Sequence, residues 1–187
     1  MPEIRRRSAP ATRAAILDAA RVRFGADGFD RVTIRDIAGD VGVDPAMVIR
    51  YFGTKDALFA EAAVFDLELP DLAGVAPGEL ADVLMPRFFA VWEDNAGFLS
   101  LLRAAATSEV AAAKMLEVFA GQVFPALSAA AVDRPADRAA LVGTQVLGLA
   151  LSRYVLRTPP LVAMSHDELR RWIGPVLAHY LTGDLPA

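Results

Sequence analysis

The sequence of 187 residues contains no cysteine, which excludes disulfides, thiolate metal sites and a cysteine nucleophile together. Histidine is almost as scarce. His166 and His179 stand thirteen residues apart, whereas a helical metal pair needs a spacing of about three to five and further ligands. No Gly-rich phosphate loop and no Gly-x-Ser-x-Gly elbow occurs, and His166, between Ser165 and Asp167-Glu168, reads as a helix start. The chain is therefore expected to be no enzyme, to bind no metal and to use no cofactor. Long hydrophobic runs are missing too. The most apolar stretch, Ala139 to Leu156, is interrupted by Thr144, Gln145, Ser152 and Arg153, which fits a buried helix better than a membrane span. The basic opening residues have no apolar segment behind them, so neither a secretory signal nor a membrane partner is expected, and the location is expected to be cytoplasmic. β-Branched alternation of useful length is absent, which leaves an all-α chain.

What the chain does have is apolar content: 55% of residues are hydrophobic, enough for a real core. The net charge of −4 hides a polarity. Met1 to Asp56 holds ten Lys/Arg against eight Asp/Glu, a net +2, and the remainder carries −6. Arg5, Arg6, Arg7 and Arg13 gather the positive charge at the N-terminal end, which suits a partner with phosphates at that end only.

Residues 1–10 read as a flexible basic arm. From Ala11 to about Ala26 the stripe Ile16, Leu17, Ala20 and Phe24 predicts a helix, with Thr12 as N-cap and Gly28 as stop. Thr33-Ile-Arg-Asp is a capping-box pattern, followed by the apolar stripe Ile34, Ile37, Ala38 and Val41 and a terminating Gly42. Asp44 caps the next helix, Pro45 takes its first position, Val48 and Phe52 face inward, and Gly53 closes it. Residues 33–52 thus read as helix, tight turn, short helix, too short to stand without the first helix as a shared core. This is the helix-turn-helix arrangement, although any small three-helix bundle has the same outline. If Val48 and Phe52 point inward, a step of about 100° per residue turns Ala46, Met47, Ile49 and Arg50 outward, the face that enters a major groove. Arg50 suits guanine or phosphate, and the apolar three suit thymine methyls. Arg35 is within reach of base or phosphate. Thr33, Tyr51, Thr54 and Lys55 stand at helix ends, where hydroxyl and ammonium groups hold phosphates; partial core packing is the alternative for Tyr51. Thr54 is also expected to cap a connecting helix over 54–66.

Thr12–Glu61, with Ala15-Ile-Leu-Asp-Ala-Ala, Phe24, Gly28-Phe29, Thr33-Ile-Arg-Asp-Ile-Ala, Val41-Gly-Val, Tyr51-Phe52 and Lys55-Asp-Ala-Leu-Phe, resembles the DNA-binding domain of the TetR/AcrR repressors. The resemblance implies phosphate contacts by Tyr51 and Lys55, with Val48-Ile49 standing where many members have Leu-Tyr. It also implies a homodimer whose last two helices pair with their copies, and an effector pocket walled by the middle helices. The domains are then 1–10 as arm, 11–53 as DNA-binding domain with Pro45 opening its recognition helix, and 54–187 as ligand-binding and dimerisation domain.

Beyond Asp66 the Pro- and Gly-rich stretch 69–78 reads as a linker. Helical segments follow over roughly 79–94, 95–106, 108–131, 135–157 and 166–182. The segment 135–157 is apolar nearly all round and needs more neighbours than a monomer offers, so Leu147 and Leu151 are expected at a dimer interface. The last helix, interrupted by Gly174-Pro175, presents Leu169, Trp172, Ile173, Val176 and Tyr180 on one stripe and is expected to join them. Phe88, Phe89, Trp92, Phe98, Phe119 and Phe124 suit the walls of a pocket for a small, largely apolar effector, with Arg103, Thr144 or Gln145 as polar handles; plain core packing is the alternative. The expected partners are double-stranded operator DNA, a small-molecule effector and a second copy of the chain. The competing expectation is a helical small-molecule-binding or adaptor protein without DNA binding.

Overall fold

A computed structural model of the chain describes residues 8–63 and 66–184. Among these, every regular element is helical. Helix α1 (Ala9–Asp27) begins two residues earlier than its apolar stripe suggests. Ser8 is its N-cap, accepting from the Ala11 amide at 3.4 Å, and Thr12 is buried one turn inside. Pro10 lies in the first turn, where its missing N–H costs nothing. Residues 9 and 10 of the expected arm thus belong to α1, and Arg5, Arg6 and Arg7 lie outside the described residues.

The next three helices follow their sequence signals closely. At α2 (Ile34–Val41) the Thr33 hydroxyl accepts from the Asp36 amide at 3.2 Å while the Asp36 carboxylate accepts from the Thr33 amide at 2.8 Å. Gly42, at φ +72°, takes the left-handed turn that ends it. Asp44 accepts from the Ala46 amide at 2.7 Å and Pro45 opens α3 (Pro45–Phe52). Thr54 caps α4 (Lys55–Ala62), which is shorter than the expected 54–66; Val64 and Phe65 lie outside the described residues. Ile16, Ala20 and Phe24 of α1, Ile37 of α2, Val48 of α3 and Leu58 and Phe59 of α4 bury one another. Phe24, Phe29 and Phe59 close the centre, with ring centroids 4.9 to 6.1 Å apart. Two ion pairs fix α1 around this core: Arg13 Nη2 donates to both carboxylate oxygens of Glu61 of α4 at 2.8 and 2.7 Å, and Arg23 pairs bidentately with Asp40 of α2 at 2.5 and 2.7 Å.

The stretch expected to be a linker, 69–78, is held at Leu72, which is buried, and by the chain just before it: Leu67 is buried, its amide donates to Gln122 Oε1 at 2.7 Å, and Arg87 donates to its carbonyl. After a 3-10 turn (Pro77–Glu79) come α5 (Leu80–Asp94), α6 (Ala96–Ala104) and α7 (Glu109–Val118). A π-helical turn, Phe119–Val123, joins α7 to α8 (Phe124–Ser128). In a regular helix the ring of Pro125 would meet the carbonyl of Gly121, four residues back, and the wider turn relieves that contact. Helix α9 (Pro135–Ala150) also runs into a π turn, Leu151–Val155. The short α10 (Pro159–Ala163) and the long α11 (His166–Thr182) complete the chain.

By length and composition the helical stretch Glu109–Ser128 is apolar enough to cross a membrane, yet it carries Glu109 and the ion pair Lys114–Glu117 (2.8 Å). The two halves pack directly, α6 against α1 and α7 against α4. Gly174-Pro175 lies within α11 and brings it close to α5: a Cβ on Gly174 would stand 2.6 Å from the Cβ of Ala81. Arg138, only 3% exposed, pairs with Asp133 at 2.5 Å and donates to the carbonyls of Tyr180 (2.8 Å) and Gly183 (2.9 Å), tying the end of α11 to the start of α9.

Candidate nucleic-acid interface and ligand cavity

Helix α3 is two-sided. Val48 is fully buried and Phe52 nearly so, while Ala46, Ile49 and Arg50 stand exposed on the opposite side, Ile49 at 45%. Pro45 and Met47 are half-buried at its start. The face expected to enter a duplex is thus open to solvent.

The cations of this half sort by partner. Arg13, Arg21 and Arg23 are committed to Glu61, Asp18 and Asp40, and Arg31 donates to the Asp27 carbonyl at 2.8 Å. The Arg23 guanidinium, donating and charge-paired, holds the Asp40 carboxyl below its usual value. Arg35, Arg50 and Lys55 have no acidic partner among the described residues. Arg35 stands exposed on the first turn of α2. Arg50 rests 5.3 Å from the ring of Tyr51, which is half-buried beside Phe52. Lys55 leans over the Phe29 ring at 4.3 Å and reaches the Asp30 carbonyl at 3.4 Å. A paired guanidinium has little field left for a further anion, so Arg35, Arg50 and Lys55 are the described cations of this half whose charge stays open to one. Arg13, counted on sequence grounds with the positive charge at the N-terminal end, is not one of them. The hydroxyls of Thr33 and Thr54 serve first as helix caps: Thr33 donates to Asp36 at 2.7 Å, and Thr54 accepts from Ala57 at 3.0 Å. The Thr33 hydroxyl, followed by its amide, holds the Asp36 carboxyl below its usual value.

In the C-terminal half a cavity with about 50 Å³ of free space lies between α5, α6, α7, α8, α9 and the chain after α4. Phe88, Trp92, Phe98 and Phe119 line it, as the aromatic clustering suggests. The other expected residues do not. Phe89 stacks instead on the His166 ring at 4.0 Å, Arg103 and Thr144 are exposed, and Phe124 and Gln145 are half-buried off the cavity. Aliphatic residues missing from the sequence expectation complete the wall, among them Leu67, Leu69, Met115, Val142 and Val146. Met115, Val142 and Val146 had only helical spacing as a sequence signal, which does not separate a cavity wall from a filled core, and Leu67 and Leu69, outside any helix, had none.

The model of bacterial regulatory proteins of the tetR family matches residues 16–62, and that of the tetracyclin repressor-like C-terminal domain matches residues 78–181. This chain belongs to the TetR family of bacterial transcriptional regulators. A TetR-family regulator from Streptomyces coelicolor A3 is 30% identical and superposes with a TM-score of 0.61, over 94% of this chain and 98% of that one. A transcriptional regulator from Rhodococcus sp. Rha1, 22% identical, shares the fold at a TM-score of 0.65 over 93% and 99% of the two chains. An HTH-type transcriptional repressor from Mycobacterium tuberculosis is 35% identical over 79 residues, which are 42% of this chain and 41% of that protein. The chain thus spans about two fifths of the length of this curated relative.

In this TetR-family chain the residues expected at a dimer interface fall into three groups. Leu151 and Trp172 are exposed, at 38% and 72%. Ile173, Val176 and Tyr180 are half-buried. Leu147 faces the cavity and Leu169 is 1% exposed in the chain's own core, so Leu169 offers no surface to a partner. Leu141, 44% exposed, lies on the same open side of α9 as Leu151 and was not anticipated. Behind the cavity, Glu93 of α5 accepts from the Tyr154 hydroxyl at 2.7 Å and meets His166 Nε2 at 2.8 Å. Burial pushes the Glu93 carboxyl up, but these two bonds outweigh it and hold it below the usual glutamate value. Burial and then the bond to Glu93 push the Tyr154 phenol up to about 12.

Proposed function

We propose that this TetR-family chain is a repressor that acts as a homodimer, reads operator DNA with α3, and is switched by a small apolar effector in the C-terminal half. The observation that carries the reading is the sorting of cations in the described N-terminal half: Arg13, Arg21 and Arg23 are held in ion pairs and Arg31 on the Asp27 carbonyl, whereas Arg35, Arg50 and Lys55 have no acidic partner, with Arg50 on the exposed side of α3 and Lys55 just beyond its end. Arg50 is the candidate for a guanine edge, Ala46 and Ile49 for thymine methyls, and Arg35, Tyr51, Thr54 and Lys55 for the backbone on either side. Met47, Pro45 and Thr33 position the start of α3 and of α2.

A two-fold dimer sets its half-sites about one helical turn, roughly 34–36 Å, apart. The outward side of α9, with Leu141 and Leu151, and Trp172 on α11 supply the apolar surface for the second copy. An effector in the cavity weakens operator binding only by its differential affinity for the arrangement of reading heads that does not fit the duplex. Footprinting of the purified protein on DNA flanking its own gene tests this. Protection of two half-sites one turn apart is expected, and no protection at moderate salt would overturn the reading.

A further inference from the structure

The cavity wall has an unusual chemical uniformity. Across its fifteen lining residues, the Trp92 indole nitrogen is the only side-chain nitrogen or oxygen. An ionised carboxylate, phosphate or ammonium placed there would lose its hydration with no countercharge and no set of donors to replace it. The wall therefore selects neutral molecules, with room for at most one hydrogen-bond acceptor beside Trp92.

The free space is about 50 Å³, far below the roughly 300–1,000 Å³ of a ligand pocket for a small organic molecule. One side chain stands where space is recoverable. Phe119 lies so close over Gly143 that a Cβ there would be 2.7 Å from its Cε2, a fit that only glycine allows. Phe119 is half-buried, between the cavity and solvent, and it begins the π turn Phe119–Val123, a rare backbone form that departs from the regular ladder and recurs at functional sites. Within the same turn, Gln122 accepts from the amide of Leu67, itself a cavity-lining residue on the chain that leaves the reading head.

We propose that the effector is a neutral, hydrocarbon-rich molecule, and that Phe119 is the plug it displaces from over Gly143 to enter. This rests on the cavity being the effector site. Displacement of Phe119 drags the π turn, and the Gln122–Leu67 bond passes the movement to the segment behind α4.

The test is calorimetric titration of the full chain, without DNA, with naphthalene and with naphthoate at neutral pH, alongside Phe119→Ala and Phe119→Leu. Circular dichroism checks that each variant is folded. Saturable naphthalene binding is expected, with naphthoate at least about tenfold weaker. Phe119→Ala, which removes the plug, should tighten naphthalene binding about tenfold because the competent state no longer has to be opened, and Phe119→Leu should fall between. Naphthoate binding as tightly as naphthalene would overturn the ligand class. Unchanged or weaker naphthalene binding in both folded variants would overturn the plug, and no saturable binding to any of the three proteins would overturn the whole inference. Because no DNA is present, these failures are separate from a missing footprint, which would sink the regulator reading alone.

Discussion

Arg50 and Arg23 are the same residue type 27 positions apart, and their surroundings give them opposite work. Arg23 is spent on Asp40 and holds α1 to α2, whereas Arg50 has only the face of Tyr51 beneath it. A side chain whose charge is already matched by a carboxylate gains little by moving to a phosphate; one resting on an aromatic face gives up far less. The interior side of α3 carries the complementary duty. Phe52, 7% exposed and capped by the Arg13 guanidinium at 4.7 Å, holds α3 to the rest of the reading head. Phe52→Ala should lower stability by about 3–5 kcal/mol, read from denaturant unfolding, because the cavity left behind adds to the lost transfer energy. A loss below about 1 kcal/mol would mean that α3 is held by something else.

At the scale of elements, caps decide where helices begin, and at two of them a carboxylate three residues further on closes a capping box and is held below its usual value. Asp36 at α2 is held down by the Thr33 hydroxyl and amide, and Glu168 at α11 by the Ser165 amide and hydroxyl. Asp133 is held down by Arg138. A carboxyl whose folded value lies below its unfolded value contributes its full stabilisation at neutral pH. That contribution fades once the pH falls below the ordinary values of 3.8 for Asp and 4.5 for Glu. The midpoint of thermal unfolding should therefore be flat near neutrality and drop below about pH 4.5; a midpoint that rises on acidification would contradict these caps. At the crossing of α11 and α5, Gly174→Val should destabilise by about 1–3 kcal/mol, because its side chain would enter space held by Ala81. A neutral result would mean that the two helices slide apart freely.

These elements also show what a sequence makes legible. Thr33 with Asp36, Gly42 and Asp44-Pro45 are local devices, acting through bonds over two or three residues, so the helix-turn-helix could be read from spacing. The cap at Ser8 was missed because Thr12 is an equally good residue type, and only its burial under neighbouring helices shows it to be interior. The π turns were illegible: Phe119–Val123 is apolar at helical spacing, and the widening answers a steric contact at Pro125 that periodicity does not carry. The Pro-Gly segment looked like a linker because composition shows neither the burial of Leu72 within it nor the bonds from Gln122 and Arg87 that hold Leu67 just before it. Of the six clustered aromatics, four line the cavity: Phe88, Trp92, Phe98 and Phe119. Whether Phe89 faces the cavity or His166 depends on the rotation of α5, which no local signal sets.

At the scale of the molecule, the chain is a reading head fused to an apolar body with surface to spare. Trp172 at 72%, Leu141 at 44% and Leu151 at 38% exposure offer apolar surface that a second copy covers in the proposed dimer. Trp172→Asp combined with Leu151→Asp should give a folded monomer in sedimentation, since neither side chain is part of the monomer's core. A persistent dimer would place the interface elsewhere. The monomer should also lose most operator affinity, because two half-site contacts are then no longer joined in one particle.

The open side of α3 is the claim on which the account stands. Fluorescence anisotropy with operator DNA at several salt concentrations, comparing the natural chain with Arg50→Ala and with Arg35→Ala, tests it most directly. Arg50→Ala should weaken operator binding by about 1–3 kcal/mol and relax discrimination against a mismatched base if it reads a base edge. Arg35→Ala should weaken all duplexes alike and reduce the salt slope by about one. Unaltered affinity and salt slope in both folded variants would contradict the assignment of α3 as the reading helix.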